Sequence, residues 1–408
     1  KLEVVGREFR LNGSPFYFRG YGDDSSYPIT GVSPAAREAH LEHLLRARAA
    51  GFNYVRLHTH CEVPEFFEAA DEAGIMVQPE LSYYGDNPMD HFSYDPIRDA
   101  TDRWVAFRRH PSWAVACSGN EGFLGARAGE AMYAFLKRID PDRLVQEEDG
   151  RGGLKSDHEG DGRREDFRTG PLSAWWPGSW DPPAPFVCHE YLNLCVKQDS
   201  RLEKDFTGAW LPPATRADRA ATLAKAGLTH EWGDRLQDAQ HAAQKLFQKL
   251  GVETARRDPQ CDGYCYWTVA DVAVYNEKLG FYTAQGWLDP FWRVKRCGAT
   301  ERDFAVFNSP SCLLLDLERL PLAPAGNEKM GGGWGSGRFA ESNRVYASGQ
   351  TIDARFLLAH FESEPLKAPE LSWRLEGEDG TVFAKGTRRL GDQALGCARP
   401  VADVAIRV

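Results

Sequence analysis

Between about Phe16 and Asn308 the chain repeats one pattern: a short apolar run, a turn signal, then an amphipathic stretch. Strands that are apolar throughout need cover on both faces. Amphipathic helices between them supply that cover, so the pattern predicts βα units with parallel strands. Residues 16–18 read as the first strand, set between Gly13-Ser14-Pro15 and Gly20. Ser33-Pro34 opens a helix that runs to Ala50, with a hydroxyl cap, Pro at the first position and Gly51 as the stop. Residues 53–58 form the second strand, 64–73 a helix ended by Gly74, and 75–77 begin the third strand. Asp95 caps a helix through Arg109, 113–117 is the fourth strand, 127–139 a helix and 144–146 the fifth strand. Residues 149–183 are rich in Gly, Pro, Asp and Arg, carry Trp175, Trp176 and Trp180, and read as long loops in which a sixth strand is left unplaced. Residues 186–189 are the seventh strand, helices follow near 215–226 and 235–256, and 264–267 is the eighth. Eight strands with recurring helices fit a (β/α)8 TIM barrel better than an open doubly wound sheet. No Gly-x-Gly-x-x-Gly follows the first strand, which argues against a dinucleotide cofactor, and no other cofactor is expected.

After about Ser311 the character changes. A Gly-rich linker (330–337) precedes alternating runs at 351–360 and 371–375 and the turn Glu378-Asp379-Gly380. This predicts a C-terminal all-β, immunoglobulin-like sandwich over 311–408, behind a barrel over 1–310. Its last run, 401–408, ends without a closing element, so the sandwich reads as incomplete.

Composition narrows the function. The 408 residues are 42% apolar and 26% charged, and no stretch reaches the ~18 consecutive apolar residues of a membrane span. Acidic side chains outnumber basic ones 59 to 49, without a basic stripe, so neither nucleic acid nor membrane is an expected partner. Nine Cys at scattered spacings give no disulfide framework and no zinc signature. The chain starts at Lys1 with no visible signal peptide, and is read as processed, trimmed or a fragment; compartment and oligomeric state stay open.

In such a barrel the reactive groups sit where strands end and loops begin. Strand one ends near Arg19, Asp23 and Asp24; strand two offers Arg56, His58 and His60; strand three Glu80; strand eight Trp267. Strand four runs into Ser118-Gly119-Asn120-Glu121, and strand seven into His189-Glu190-Tyr191. Carboxylates on opposite strands face each other across the mouth. Glycoside hydrolysis needs that pair: one protonates the leaving oxygen while the other attacks the anomeric carbon or activates water. Glu147 and Glu148 are the main rivals, read as strand-end or surface carboxylates. His58 and His60 have a metal-like spacing without a clear third ligand, so no metal is expected.

Several ordered stretches resemble the catalytic barrel of glycoside hydrolase family 2, in the large retaining clan of eight-stranded barrels. They are Phe9-Arg-Leu-Asn-Gly-Ser-Pro-Phe-Tyr-Phe-Arg-Gly20, Gly51-Phe-Asn-Tyr-Val-Arg56 with His58, Phe66-Phe-Glu-Ala-Ala-Asp-Glu-Ala-Gly-Ile75 with Glu80, and above all His110-Pro-Ser-Trp-Ala-Val-Ala-Cys-Ser-Gly-Asn-Glu121. The resemblance spans about residues 7–310. It implies a retaining exo-acting β-glycosidase, of β-galactosidase or β-glucuronidase type, acting on an oligo- or polysaccharide. Carried over by position, Glu121 is the general acid/base, Glu190 the nucleophile and Asn120 the contact to the sugar 2-hydroxyl. Arg56 keeps the nucleophile ionised and Trp267 floors the sugar subsite. Asp23, His58, Glu80, Trp175, Trp176 and Tyr191 complete the expected substrate contacts.

Two departures matter. The jelly-roll and immunoglobulin-like domains that usually precede this barrel are not in the sequence. The tyrosine that the sixth strand usually offers the nucleophile has no counterpart in 165–185, which leaves Tyr264 or Tyr266 as substitutes. Asn276-Glu277-Lys278 resembles the Asn-x-Lys that reads uronic acids in β-glucuronidases, but reads better as a polar turn. An endo-acting glycanase of the same clan and a non-catalytic carbohydrate-binding barrel are the competing readings.

Overall fold

The structure is a computed structural model describing residues 1–81, 96–120, 126–150, 165–170, 184–210, 215–272, 284–317 and 346–408. Three short antiparallel strands open the chain: β1 (Leu2–Val5), β2 (Glu8–Leu11) and β3 (Ser14–Phe16). The run expected as one strand at 16–18 is split, since Phe16 ends β3 and Phe18 begins β4 (Phe18–Asp23). There follow α1 (Arg37–Ala49), β5 (Tyr54–Leu57), α2 (Pro64–Ala73), β6 (Met76–Pro79), α3 (Pro96–Phe107) and β7 (Val115–Cys117). Next come α4 (Ala126–Ile139), β8 (Leu144–Gln146), β9 (Arg168–Gly170), β10 (Phe186–Tyr191), α5 (Thr215–Lys225), α6 (His230–Arg257), β11 (Gly263–Tyr266) and α7 (Glu301–Asn308).

Six of these strands form one parallel sheet in the order β6-β5-β4-β11-β10-β9, and β7 pairs with β8. The pair adjoins the sheet on both sides. Val77 on β6 donates to Ser112 O and accepts from Ala114 N just before β7, and Asp166 N, before β9, donates to Val145 O on β8. The result is a TIM-barrel-like parallel sheet.

Local chemistry explains the departures from expectation. Helix α1 starts at Arg37, not at Ser33-Pro34, because those residues are engaged elsewhere. The Ser33 hydroxyl donates to Glu62, and the Pro34 carbonyl accepts from His40 Nε2 at 2.8 Å. Ala36 takes the N-cap position without a side-chain cap. The sixth strand is β9, three residues long and without alternation, which is why periodicity misses it.

Alternation along β5 sorts its side chains. Val55 and Leu57 join Leu44 of α1 and Phe66 and Phe67 of α2 in the outer core, while Tyr54 and Arg56 take the inner face. The inner face is closed at its lower end by rings: Phe9 from β2 packs edge-on against Phe18 at 4.7 Å and Phe167 at 5.2 Å, beside Tyr54 and Val187. The opening strands therefore plug the barrel bottom. Polar inward residues are left for the C-terminal ends of the strands.

Beyond α7 lie β12 (Ser311–Asp316), β13 (Thr351–His360), β14 (Glu370–Glu376), β15 (Val382–Arg389) and β16 (Gly396–Arg407). Strands β12-β13-β16 and the β14-β15 hairpin are separate antiparallel sheets. They share a small core of Ile352, Ala354, Phe356, Leu371, Ala402 and Ile406, flanked by Trp373 and Ala384. The last run falls within β16, which pairs along β13 from Thr351–Arg407 to His360–Gly396. The end of α6 grips this region: Arg256 donates to the carbonyls of Phe307 and Pro310, and Arg257 to that of Leu315.

Candidate active site

Arg56, the second inward residue of β5, is fully buried and is the hub of the strand-end cluster. Its Nε lies 2.6 Å from Glu80 Oε1 and 3.2 Å from Asp149 Oδ2, and its Nη1 3.2 Å from Glu190 Oε1. Nη2 donates to Asn120 Oδ1 at 2.5 Å. One guanidinium thus faces carboxylates from three different strand ends, and its pKa is raised further: burial opposes, but Glu80, Asp149 and Glu190 outweigh it. Glu80 also accepts from the Thr59 backbone at 2.8 Å, which ties the loop after β5 to β6.

Glu190 reaches this cluster through a break in β10. Phe186, Cys188 and Tyr191 lie in the outer core and Val187 in the inner one, so strict alternation would turn His189 inward and Glu190 outward. Register instead shifts between Cys188 and Tyr191, and Glu190 adopts φ +41°, a left-handed conformation costly for a non-glycine residue. The bulge re-aims the carboxylate, so consecutive residues 189 and 190 share one site. Such backbone cost persists where the surroundings over-determine it, and here ionic contacts do so.

Three basic side chains surround the Glu190 oxygen Oε1: Arg56, His189 with Nε2 at 3.3 Å, and His58 with Nε2 at 3.9 Å. Burial pushes the Glu190 carboxyl up, but His189 and Arg56 prevail and hold it at about 2. Asp149 is drawn down likewise: burial opposes, and Arg56 and His189 outweigh it. His189 Nδ1 sits 2.6 Å from Asp149 Oδ1, and Asp24 accepts from His58 Nδ1. Asp149 and His189 were not singled out in the sequence. The acidic run Glu147-Glu148-Asp149 after the fifth strand was the available signal, but its third member went unnamed.

Trp267, just past β11, is 5% exposed. Its ring lies edge-to-face with His58 at 4.8 Å, and Arg56 Cζ is 5.4 Å from its centroid. The ring fits because residue 22 of β4 is glycine: a Cβ there would meet Trp267 Cε3 and Cζ3 at 2.3 Å. Gly22→Ala is therefore expected to displace the ring and cost about 1–3 kcal/mol. A lower urea midpoint and altered tryptophan fluorescence would register this. Wild-type values for both would show that the ring does not depend on that gap.

The other expected contacts divide. Asp23 is buried, and burial raises its carboxyl to about 6 against the pull of His60. His60, lowered by burial but raised more by Glu62 and Asp23, stands near 9. Its Nε2 lies 3.6 Å from Glu62, and its Nδ1 bonds the His58 carbonyl. Both histidines are thus engaged by neighbours, and among the described residues no group of three or more His, Cys, Asp or Glu could hold a metal. Tyr191 is not brought to the site: its buried hydroxyl donates to Gly251 O on α6 at 2.9 Å. Neither tyrosine considered as a nucleophile partner serves. Tyr264 donates to Asn308, and Tyr266 to Gln285 O while accepting from Gln248. Glu147 and Glu148 are buried rather than on the surface. Glu121, Trp175, Trp176, Trp180 and residues 276–278 lie outside the described residues.

Residues 2–162 match the family described as glycosyl hydrolases family 2, TIM barrel domain. A β-galactosidase of Aeromonas hydrophila subsp. hydrophila is 35% identical over 159 residues, 36% of this chain and 15% of that protein. One from Photobacterium profundum is 30% identical over 158 residues, 37% and 15%. The match thus spans only about 15% of these relatives' length. Among solved structures, an exo-chitosanase of Amycolatopsis orientalis aligns over 99% of this chain and 47% of its own, with TM-score 0.60 and 14% identity. A β-D-mannosidase from Dictyoglomus thermophilum aligns over 100% and 50%, with TM-score 0.54 and 14% identity. At such identities the likeness speaks for the fold alone. Over residues 2–162, the chain is thus similar to the TIM barrel domain of glycoside hydrolase family 2.

Proposed function

We propose that this protein is a retaining, exo-acting β-glycosidase that removes terminal β-linked sugars, with the β-galactosidase type favoured by the curated relatives. The observation that carries the reading is Glu190: a carboxylate re-aimed by a bulge at a strand end and held ionised by a buried Arg56. A charged, oriented carboxylate is what a glycosidase nucleophile must be.

In this reading Glu121 protonates the leaving oxygen while Glu190 attacks the anomeric carbon and forms a glycosyl ester. Glu121 then takes a proton from the water that hydrolyses the ester. Arg56 fixes the Asn120 carbonyl oxygen, so the amide nitrogen is the group that meets the sugar 2-hydroxyl. Trp267 offers its face to the ring. Trp175 and Trp176 are the further contacts in this reading. Residues 1–310 are taken as a complete (β/α)8 barrel, and 311–408 as an immunoglobulin-like accessory domain.

A panel of aryl β-glycosides is the direct test. Release of phenol from the galactoside above all others is expected. Preference for the glucuronide would move the assignment to that type, and no release from any member would favour a carbohydrate-binding barrel. Short internal fragments from a polysaccharide would indicate endo action.

A further inference from the structure

His189 is fully buried between two carboxylates, with Nδ1 2.6 Å from Asp149 Oδ1 and Nε2 3.3 Å from Glu190 Oε1. A neutral imidazole has one N–H and one lone pair. Whichever carboxylate receives the N–H, the other would face the lone pair. Only the imidazolium turns a lone pair toward neither and sets a positive charge 2.6 Å from one and 3.3 Å from the other. Asp149 cannot easily turn away, because Gln78 Nε2 holds its Oδ2 at 2.7 Å and Arg56 Nε lies 3.2 Å from the same atom. Among the described residues, Arg56 on β5, itself paired with Glu80 after β6, also faces this point, and His58 Nε2 lies 3.9 Å from the same Glu190 oxygen. The bulge of β10 makes the arrangement possible, since adjacent residues of a regular strand would point to opposite faces.

We propose that His189, clamped by Asp149, is a positioning residue that holds a permanent imidazolium against Oε1 of Glu190 and so presents the carboxylate charged and in one orientation. The proposal rests on Glu190 being the nucleophile. Loss of the imidazolium removes a neighbouring positive charge, so the Glu190 carboxyl must hold its proton to higher pH.

The test follows the rate at which a 2-deoxy-2-fluoro-β-glycosyl fluoride, of the sugar preferred in the aryl panel, labels Glu190 between pH 2.5 and 7. Fluoride leaves as the Glu190 ester forms, so the rate reports the ionised carboxylate. Peptide mass locates the label. The wild type is expected to lose labelling only below about pH 4, beneath the ordinary Glu value of ~4.3. His189→Gln keeps an N–H of similar reach without the charge. Its acid limb is expected at least one pH unit higher, with kcat reduced tenfold or more and KM changed less than threefold. An acid limb that stays put in a folded His189→Gln overturns the proposal. So does a wild-type acid limb at or above ~4.3, a result independent of whether the variant folds. Label on another carboxylate of the wild type overturns the nucleophile reading, and the proposal with it. The position of the label tells that failure from the others.

Discussion

Replacing Glu190 by glycine is expected to lower turnover of aryl β-glycosides by a factor on the order of 10⁴–10⁶, the scale seen when a covalent nucleophile is removed. Azide should then restore part of the rate and yield the α-glycosyl azide. The geometry gives both halves of that expectation. Without the carboxylate nothing attacks the anomeric carbon from that face, yet Arg56 and His189 remain as cations lining the vacated space. A small anion is drawn there, and it would invert the anomeric centre in one step, whereas the two displacements of the proposed mechanism would retain it. The fold should survive. Arg56 keeps its contacts to Glu80, Asp149 and Asn120, and glycine adopts φ +41° without the cost that glutamate bears. Ordinary turnover by the variant would remove Glu190 from the mechanism. A folded variant that azide cannot rescue, by rate or by product, would do the same.

What could be read from the sequence follows the physics of each element. Long amphipathic segments such as α2 and α4 repeat a 3.6-residue pattern, and Gly74 closes α2 in the left-handed conformation expected of a C-terminal stop. Strands β5 and β8 were legible as apolar runs at nearly their final bounds. The start of α1 was not, because Ser33 serves a long-range contact to Glu62 rather than a local cap. The sixth strand was not, because Arg168–Gly170 owes its place to pairing with β10 rather than to its own side chains.

At the site, Arg56, Glu80, Asn120, Glu190, His58 and Trp267 were named from strand ends and are found together. Asp149 and His189 went unnamed although alternation along β10 already turns His189 inward; what alternation does not give is Glu190 beside it, which only a bulge, announced by no residue of Cys188-His189-Glu190-Tyr191, brings inside. Tyr191 failed by the same rule: it resumes the alternation and returns to the outer core.

Arg56→Met carries the second large expectation, in stability. Methionine is close in length, so the change removes charge and five donors more than volume. Breaking one partner of a buried ionic cluster leaves uncompensated charge and typically costs about 3–5 kcal/mol. Here, among the described residues, Asp149 and Glu190 would keep His189 as their close cation. The pH dependence identifies the cause. In the wild type both carboxyls titrate below their unfolded values, so their contribution is present above about pH 4.3. It is lost as the pH falls toward 2. Without Arg56, burial is opposed by less charge and pushes the same carboxyls upward. A raised carboxyl favours folding at low pH and penalises it as pH rises through the folded value. The deficit of Arg56→Met against wild type should therefore shrink between pH 7 and pH 5, read from urea midpoints at each pH. A deficit that is constant across that range would mean that lost packing, rather than stranded charge, explains the change.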